Sequence, residues 1–451
     1  MAEEMVTEVS PPDTLDEIKE DEEFAPFVSR DSSARQGKKL KQKNQAAVND
    51  FLGNQSRIFL TGFLPFYYKD LLTWSLHQYI QRNNCKILTT LSFREPEPLF
   101  RNVNTGKETY NLLIDGQMLI QKDDDRYSVT VDVAKHGLIQ LEGPENKKEE
   151  MTQFIGGVME ISRKENIYRG KKVEFNGGID FLTVKEKSWD SVVLDFKIKT
   201  EIKANTIDFL RQSERWKQYG IPLKRGVLLA GEPGTGKTII CKALMAETDE
   251  ITCITTNAYS IDEDEYITTL YELAQDLSPC VVFIEDIDLI GQNRMEYGYR
   301  SGSALLSLLS VLDGIEEKKN IVTVATTNCL ETLDKALSQR PSRFDRIIKL
   351  SVPTLLQRGE LIRRLCLKIP LDDETQGYIA LKTENCTPAY VQEIVYSLAI
   401  QQPATQKELQ YSYDEIDYLI SSITNKNRYK IGFNANGSGN ESKQNHFGLQ
   451  K

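Results

Sequence analysis

The sequence predicts an α/β core built on a parallel five-stranded sheet, preceded by an α+β domain and followed by a helical lid. Three observations carry this. Five short apolar runs, GVLLA, ITCITT, CVVFIED, IVTVATT and IIKLSV, alternate with helical segments between about 186 and 353. Runs without polar alternation suit strands covered on both faces, as in a parallel sheet. A glycine-rich loop, GEPGTGKT, follows the first run directly. After Pro353 the texture becomes helical, as in LLQRGELIRRLCLKI and AYVQEIVYSLAIQQ, with no strong strand up to about 425.

Taken in chain order, residues 1–50 pass from an acidic block to the basic stretch RQGKKLKQK and offer little to bury, so a disordered tail is expected. Residues 51–184 mix an amphipathic helix, LPFYYKDLLTWSLHQYIQRN, with short strands in NLLIDGQMLIQ, YSVTVDVA and KVEF. Turns are expected at Asp115-Gly116 and Asn176-Gly177. This is the α+β domain. Residues 186–353 form the core, 354–425 the lid, and the Gly-, Asn- and Ser-rich 426–451 a second disordered tail.

The totals narrow the function. With 451 residues and 40% hydrophobic content, several cores can be buried. The net charge of -10 argues against broad attraction to nucleic acid, which is the less favoured partner. Seven scattered cysteines and only three histidines, His77, His136 and His446, poorly supply a disulfide framework, a zinc site or a Ser-His-Asp triad. The N-terminus lacks a signal-peptide pattern, and the apolar stretch from Ile58 ends at Lys69 and Asp70. About 20 apolar residues are needed to span a bilayer. No membrane insertion and a cytoplasmic, reducing location are therefore expected.

The loop at Gly231, Glu232, Pro233, Gly234, Thr235, Gly236, Lys237 and Thr238 has the form G-x-x-x-x-G-K-T between a strand and a helix. Such glycines let backbone N–H groups converge on phosphates, the lysine reaches the β and γ phosphates, and Thr238 holds Mg²⁺. About 45 residues on, VVFIEDID ends a buried strand with Glu285 and Asp286, acids suited to metal binding and to activating water. Asn328 closes the next strand, IVTVATTN, where an amide could hold the attacking water or the γ-phosphate. Arg340 and Arg343 follow in LSQRPSRFDR. A permanently charged guanidinium stabilises a transferring phosphoryl group.

In this order and at these separations, GEPGTGKT, CVVFIEDID, VATTN and LSQRPSRFDR resemble the AAA family of ring-forming ATPases, over roughly residues 186–425. The resemblance implies an AAA-type P-loop NTPase fold, ATP and Mg²⁺ as cofactors, and a homohexameric or heptameric ring. It also implies action of Arg340 and Arg343 on the neighbour's ATP and mechanical work on a macromolecule. The E-D-x-D order is similar to bacterial AAA proteins and to the branch of the mitochondrial Rieske-protein translocase. By that likeness Glu285 takes the metal side with Thr238, and Asp286 the catalytic position.

The stretch NAYSIDEDEYITT, which in many relatives grips polypeptide, offers only Tyr259 and Ile261 here, and TENCTPAYVQE has no arginine that would sense nucleotide. The leading expectation is an ATP hydrolase that remodels or disassembles a protein partner. A nucleic-acid motor or loader, and an ATP-gated assembly scaffold with little turnover, are the alternatives.

Overall fold

The computed structural model describes residues 6–8, 30–92, 97–105, 107–134, 136–184, 188–257, 264–290, 308, 312, 320–331, 344–401 and 411–425. The first of two units carries two sheets. An antiparallel sheet is built from β1 (Val6–Glu8), β2 (Arg57–Phe63), β3 (Lys86–Leu91), β4 (Leu99–Asn104), β5 (Thr109–Lys122), β6 (Asp125–Asp132) and β7 (Leu138–Pro144). Its order is β1-β2-β7-β6-β5-β3, with β4 also paired to β5. Helices α2 (Lys69–Arg82) and α3 (Lys148–Lys164) belong to the same domain and pack on each other, Gly157 of α3 meeting the ring of Tyr79 of α2.

Two expectations for this region are corrected. The segment assigned to a disordered tail up to residue 50 includes most of helix α1 (Arg30–Leu52). The physical reason is an apolar end on one helical face: Val48 and Leu52 are buried with Leu119, and Phe51 and Leu91 pack beside them. The Asn44 side-chain amide also donates to the Ser92 carbonyl at 2.6 Å. Asp115-Gly116 is not a turn, because β5 runs through it. A Cβ at Gly116 would stand 3.0 Å from the Leu91 carbonyl oxygen, so glycine allows the neighbouring strand to approach closely.

The second sheet consists of β8 (Lys172–Phe175), β9 (Ile179–Phe181), β10 (Lys224–Ala230), β11 (Thr252–Asn257), β12 (Cys280–Glu285), β13 (Ile321–Thr327) and β14 (Arg346–Lys349). The five apolar runs all become strands and lie parallel, in the order β14-β10-β13-β12-β11. The sheet nevertheless has seven strands and not five. KVEF, expected in the first domain, is β8 and pairs parallel with β11, while β9 returns antiparallel through the Asn176-Gly177 turn, Gly177 having φ +78°. One buried core runs from Leu60 and Tyr68 through Tyr168 and Phe175 to Val282 and Ile284. Tyr168 stacks on Tyr68 at 6.1 Å and on Phe181 at 5.2 Å, so the α+β domain and the second sheet share their packing.

Helices α4 (Phe196–Ala204), α5 (Ile207–Arg211) and α6 (Ser213–Gln218) precede β10. Helix α7 (Lys237–Ala246) follows the glycine loop, and α8 (Asp264–Asp276) lies between β11 and β12.

The second unit is helical, with helices at Leu355–Leu365, Asp373–Lys382, Pro388–Gln401 and Tyr413–Asn425. Thr354 starts the first of them with a capping box to Gln357, and Asp372 caps the second. Their apolar faces close on Ile362, Ile379, Val391, Ile394 and Ile416, a separate core. Residues Glu232–Gly236 belong to this unit by packing. No described helix is long and apolar enough to cross a membrane.

Candidate functional site

The C-terminal ends of the central parallel strands place the polar residues. Strand β10 ends at Ala230 beside Thr327 of β13, and β12 ends at Glu285. Loops leaving one edge of a parallel sheet are where such folds bind ligands. The Gly231 N–H donates to the Thr327 carbonyl at 3.2 Å, which fixes where the glycine loop departs.

Within the loop, Gly234 and Gly236 have φ of +85° and +98°, values that side chains other than glycine rarely adopt. A Cβ on Gly234 would meet Thr387 Oγ1 at 2.8 Å and Ala389 Cβ at 2.9 Å. The Ala389 N–H donates to the Gly234 carbonyl at 3.2 Å, and Thr235 Oγ1 donates to the Glu232 carbonyl at 2.9 Å. Pro233 lies between Glu232 and Gly234 at the exposed front of the loop.

Lys237 opens α7 and is buried. Its Nζ donates to the Gly231 carbonyl at 2.6 Å and to Asn328 Oδ1 at 2.7 Å. Burial lowers the Lys237 pKa, while Asp286 and Asp288 oppose that shift. Asn328 in turn donates from Nδ2 to Asp286 Oδ1 at 2.9 Å. Lysine, amide and acid thus form one connected line. Thr238 stands apart from it, donating from Oγ1 to Glu285 Oε2 at 3.3 Å.

Asp286 has φ +53° and ψ +53°, the left-handed conformation, at the point where the chain leaves β12. For a residue with a side chain this costs roughly 1–2 kcal/mol, least for Asp and Asn. The Asp286 N–H donates to Thr326 Oγ1 at 3.0 Å, which helps hold the bend. Its effect is to turn Asp286 toward Asn328 while Glu285 faces Thr238, so adjacent acids serve different neighbours.

The structure therefore brings together Lys237, Thr238, Glu285, Asp286 and Asn328. Arg340, Arg343, Tyr259 and Ile261 lie outside the described residues. Four contributors were not singled out from the sequence. Thr326 anchors Asp286, and Asp288 Oδ1 accepts the Asn328 N–H at 3.1 Å. Thr387 and Ala389 pack on Gly234. Asp288 is the last acid of E-D-x-D and could have been read there. Thr326 carried no such signal, since strand threonines are ordinary.

The donor set fits a nucleotide with its metal. A glycine loop with two left-handed glycines, a buried ammonium and a hydroxyl facing a carboxylate are what phosphates and Mg²⁺ require. Fold and site thus define a P-loop nucleotide-binding module.

Residues 227–352 match the model of the ATPase family associated with various cellular activities (AAA), so the chain carries an AAA ATPase module whose cofactors are ATP and Mg²⁺. The chain is similar to the ATP-dependent zinc metalloprotease FtsH 1 of Alkaliphilus metalliredigens, 26% identical over 82% of this chain and 62% of that protein. It is 32% identical to an FtsH of Acidothermus cellulolyticus over 49% of this chain and 35% of the relative. With the ATP-dependent zinc metalloprotease YME1 homolog of Schistosoma mansoni it shares 33% identity over 50% of this chain and 35% of the relative. The chain spans between about a third and just over three fifths of the length of these curated relatives.

Proposed function

We propose that this protein hydrolyses ATP and uses the cycle to remodel or disassemble a protein partner. The observation that carries the first half is the division of labour at the end of β12, with Glu285 toward Thr238 and Asp286 toward Asn328. Thr238, through its hydroxyl, and Glu285, through its carboxylate, would hold Mg²⁺. When bound, the metal ion neutralises charge on the β and γ phosphates. Lys237 exchanges the Gly231 and Asn328 oxygens for phosphate oxygens and carries the counter-charge.

That exchange releases the Asn328 side chain from Lys237, leaving its amide beside Asp286 to position the attacking water. Asp286 accepts the proton from that water as general base. Arg340 and Arg343, from a neighbouring copy in a homo-oligomeric ring, stabilise the developing charge. The proposed setting is cytoplasmic.

The second half is supported by the relatives, whose names describe ATP-dependent proteases and hence work on polypeptide. Only the ATP-driven step on polypeptide is carried over. For the zinc chemistry the described residues supply no group of three or more metal ligands. The shared core between the α+β domain and the ATPase sheet supports transmission by packed side chains, with the α+β domain moving together with that sheet.

The test is ATP turnover of the full chain across protein concentrations, beside Asp286→Asn and Glu285→Gln. The proposal expects turnover per subunit to rise with concentration, and Asp286→Asn to abolish it with ATP binding retained. Absence of hydrolysis at every concentration, with assembly still dependent on ATP, would instead establish the scaffold reading.

A further inference from the structure

The ladder between β12 and β13 runs as far as Ile284 opposite Ala325. Past that pair two side chains take over. Thr326 Oγ1 on β13 accepts the Asp286 N–H at 3.0 Å, and Asp288 Oδ1 on the β12 side accepts the Asn328 N–H at 3.1 Å. Each strand end thus supplies an acceptor for the other's backbone, two residues apart on both sides. A carboxylate accepting a backbone N–H makes a stronger bond than a neutral oxygen does.

Asp288 is carried by an element that holds still. It stands in the single turn Ile287–Leu289, which the Leu289 N–H closes on the Asp286 carbonyl at 2.9 Å. Ile287 of that turn is fully buried and belongs to the core, so the turn is pinned by packing. A side chain on a pinned turn keeps its position better than one on a free loop.

Asn328, by contrast, is exposed and divides its groups among three partners. Its N–H goes to Asp288, its Nδ2 donates to Asp286 Oδ1 at 2.9 Å, and its Oδ1 accepts from Lys237 Nζ at 2.7 Å. In the proposed reaction the last of these is given up when Lys237 turns to phosphate. Two movements are then open to Asn328: its whole peptide follows Lys237, or its side chain re-aims alone. The bond to Asp288 favours the second, because it holds the N–H and leaves the side-chain torsions free.

We propose that Asp288 is a positioning residue for hydrolysis: by holding the Asn328 peptide, it keeps the side-chain amide beside Asp286 while the Lys237 contact is exchanged. In this role Asp288 acts through Asn328 alone. The inference rests on the hydrolytic reading above, in which Asn328 positions the attacking water. An Asp288 that merely braced its own turn would instead affect stability and ATP binding with no reference to the Asn328 side chain.

The test is a double-mutant cycle on the full chain, reading kcat and KM for ATP in Asp288→Ala, Asn328→Ala and the two combined. Asp288→Ala should lower kcat by about ten- to a hundredfold, the scale of a small misplacement, with KM within about threefold. Added to Asn328→Ala, it should lower kcat by less than about twofold further, because the side chain it positions is already gone. Asp288→Asn keeps an oxygen acceptor of the same reach and should recover kcat to within about fivefold of the unaltered chain.

Effects that multiply in the combined variant overturn the proposal, since Asp288 would then act independently of Asn328. So does an Asp288→Asn no better than Asp288→Ala. Hydrogen exchange read at the Asn328 amide needs no turnover. It should be at least about tenfold faster in Asp288→Ala and near the unaltered rate in Asp288→Asn. Equal exchange in all three removes the anchor and with it the proposal. Should Asp288→Ala not fold, exchange at this amide in the unaltered chain decides, with and without Mg²⁺ and a non-hydrolysable ATP analogue. Slow exchange in both is expected, and a rise of about tenfold with nucleotide overturns the proposal. If the unaltered chain hydrolyses no ATP, the proposed function fails, while exchange still reports whether the anchor exists.

Discussion

The two sheets of the first unit hold their important residues in opposite ways. In the parallel sheet, residues distant in sequence converge at strand ends, and the chemistry occupies the few positions where Ala230, Glu285 and Thr327 give way to loops. Among the described residues of the antiparallel sheet no strand end carries such a constellation. Its buried residues serve packing against α2 and α3. The difference teaches that a reaction demands particular atoms at particular points, whereas a packed core demands shape that many sequences supply.

Substitutions can break or sharpen this contrast. The largest effect is expected for Asp286→Asn, a loss of about 10²–10⁴-fold in turnover, the range for removing a general base. Single-turnover hydrolysis beside nucleotide-binding titration checks it, since binding should persist. Next comes Gly157→Ala in α3, whose Cβ would fall 2.3 Å from Tyr79 Cε2. Overpacking of that kind costs about 1–3 kcal/mol. Calorimetry should show the β5 sheet and the β10 sheet melting together at a lower temperature, because they share one core. Two separate transitions would break the comparison by making the regions independent.

Smaller effects are expected around the acids. Thr326→Val removes the acceptor for the Asp286 N–H and should cost about 1 kcal/mol of stability, with a several-fold fall in turnover. Chemical denaturation and steady-state assays read the two consequences. The smallest concerns pH. Burial depresses the Lys237 pKa, and only the charged form complements phosphate. In the ligand-free protein the ammonium therefore loses its proton at lower pH than an ordinary lysine. Affinity for ATP should decline as pH rises through that lowered value, and calorimetry in buffers of different ionisation enthalpy should register proton uptake on binding.

Much of the catalytic region was legible in the sequence. The run GVLLAGEPGTGKT names strand, loop and helix because the glycines have no other reason to cluster, and VVFIEDID names a buried strand with acids at its end. The left-handed turn at Asp286 was not legible, since it depends on Thr326 in a strand 40 residues away. Nor was the edge of the parallel sheet. KVEF alternates in burial and lies beside antiparallel strands in sequence, so only tertiary pairing with β11 reveals its membership. Residues 30–52 were hidden by composition: the basic run RQGKKLKQK dominates the segment, and only Val48, Phe51 and Leu52 signal that it docks.

The β8–β9 hairpin has a practical meaning for anyone cutting the gene. A fragment starting at residue 186 matches the boundary that the ATPase motifs suggest, yet it discards Lys172–Phe175 from beside β11. The strand Thr252–Asn257 would then present unpaired N–H and C=O groups along a new border. Such borders recruit other strands and lead to aggregation. A catalytic fragment should therefore keep this hairpin together with the α+β domain that shares its core, and the poor behaviour of a shorter one would report missing packing and say nothing about catalysis.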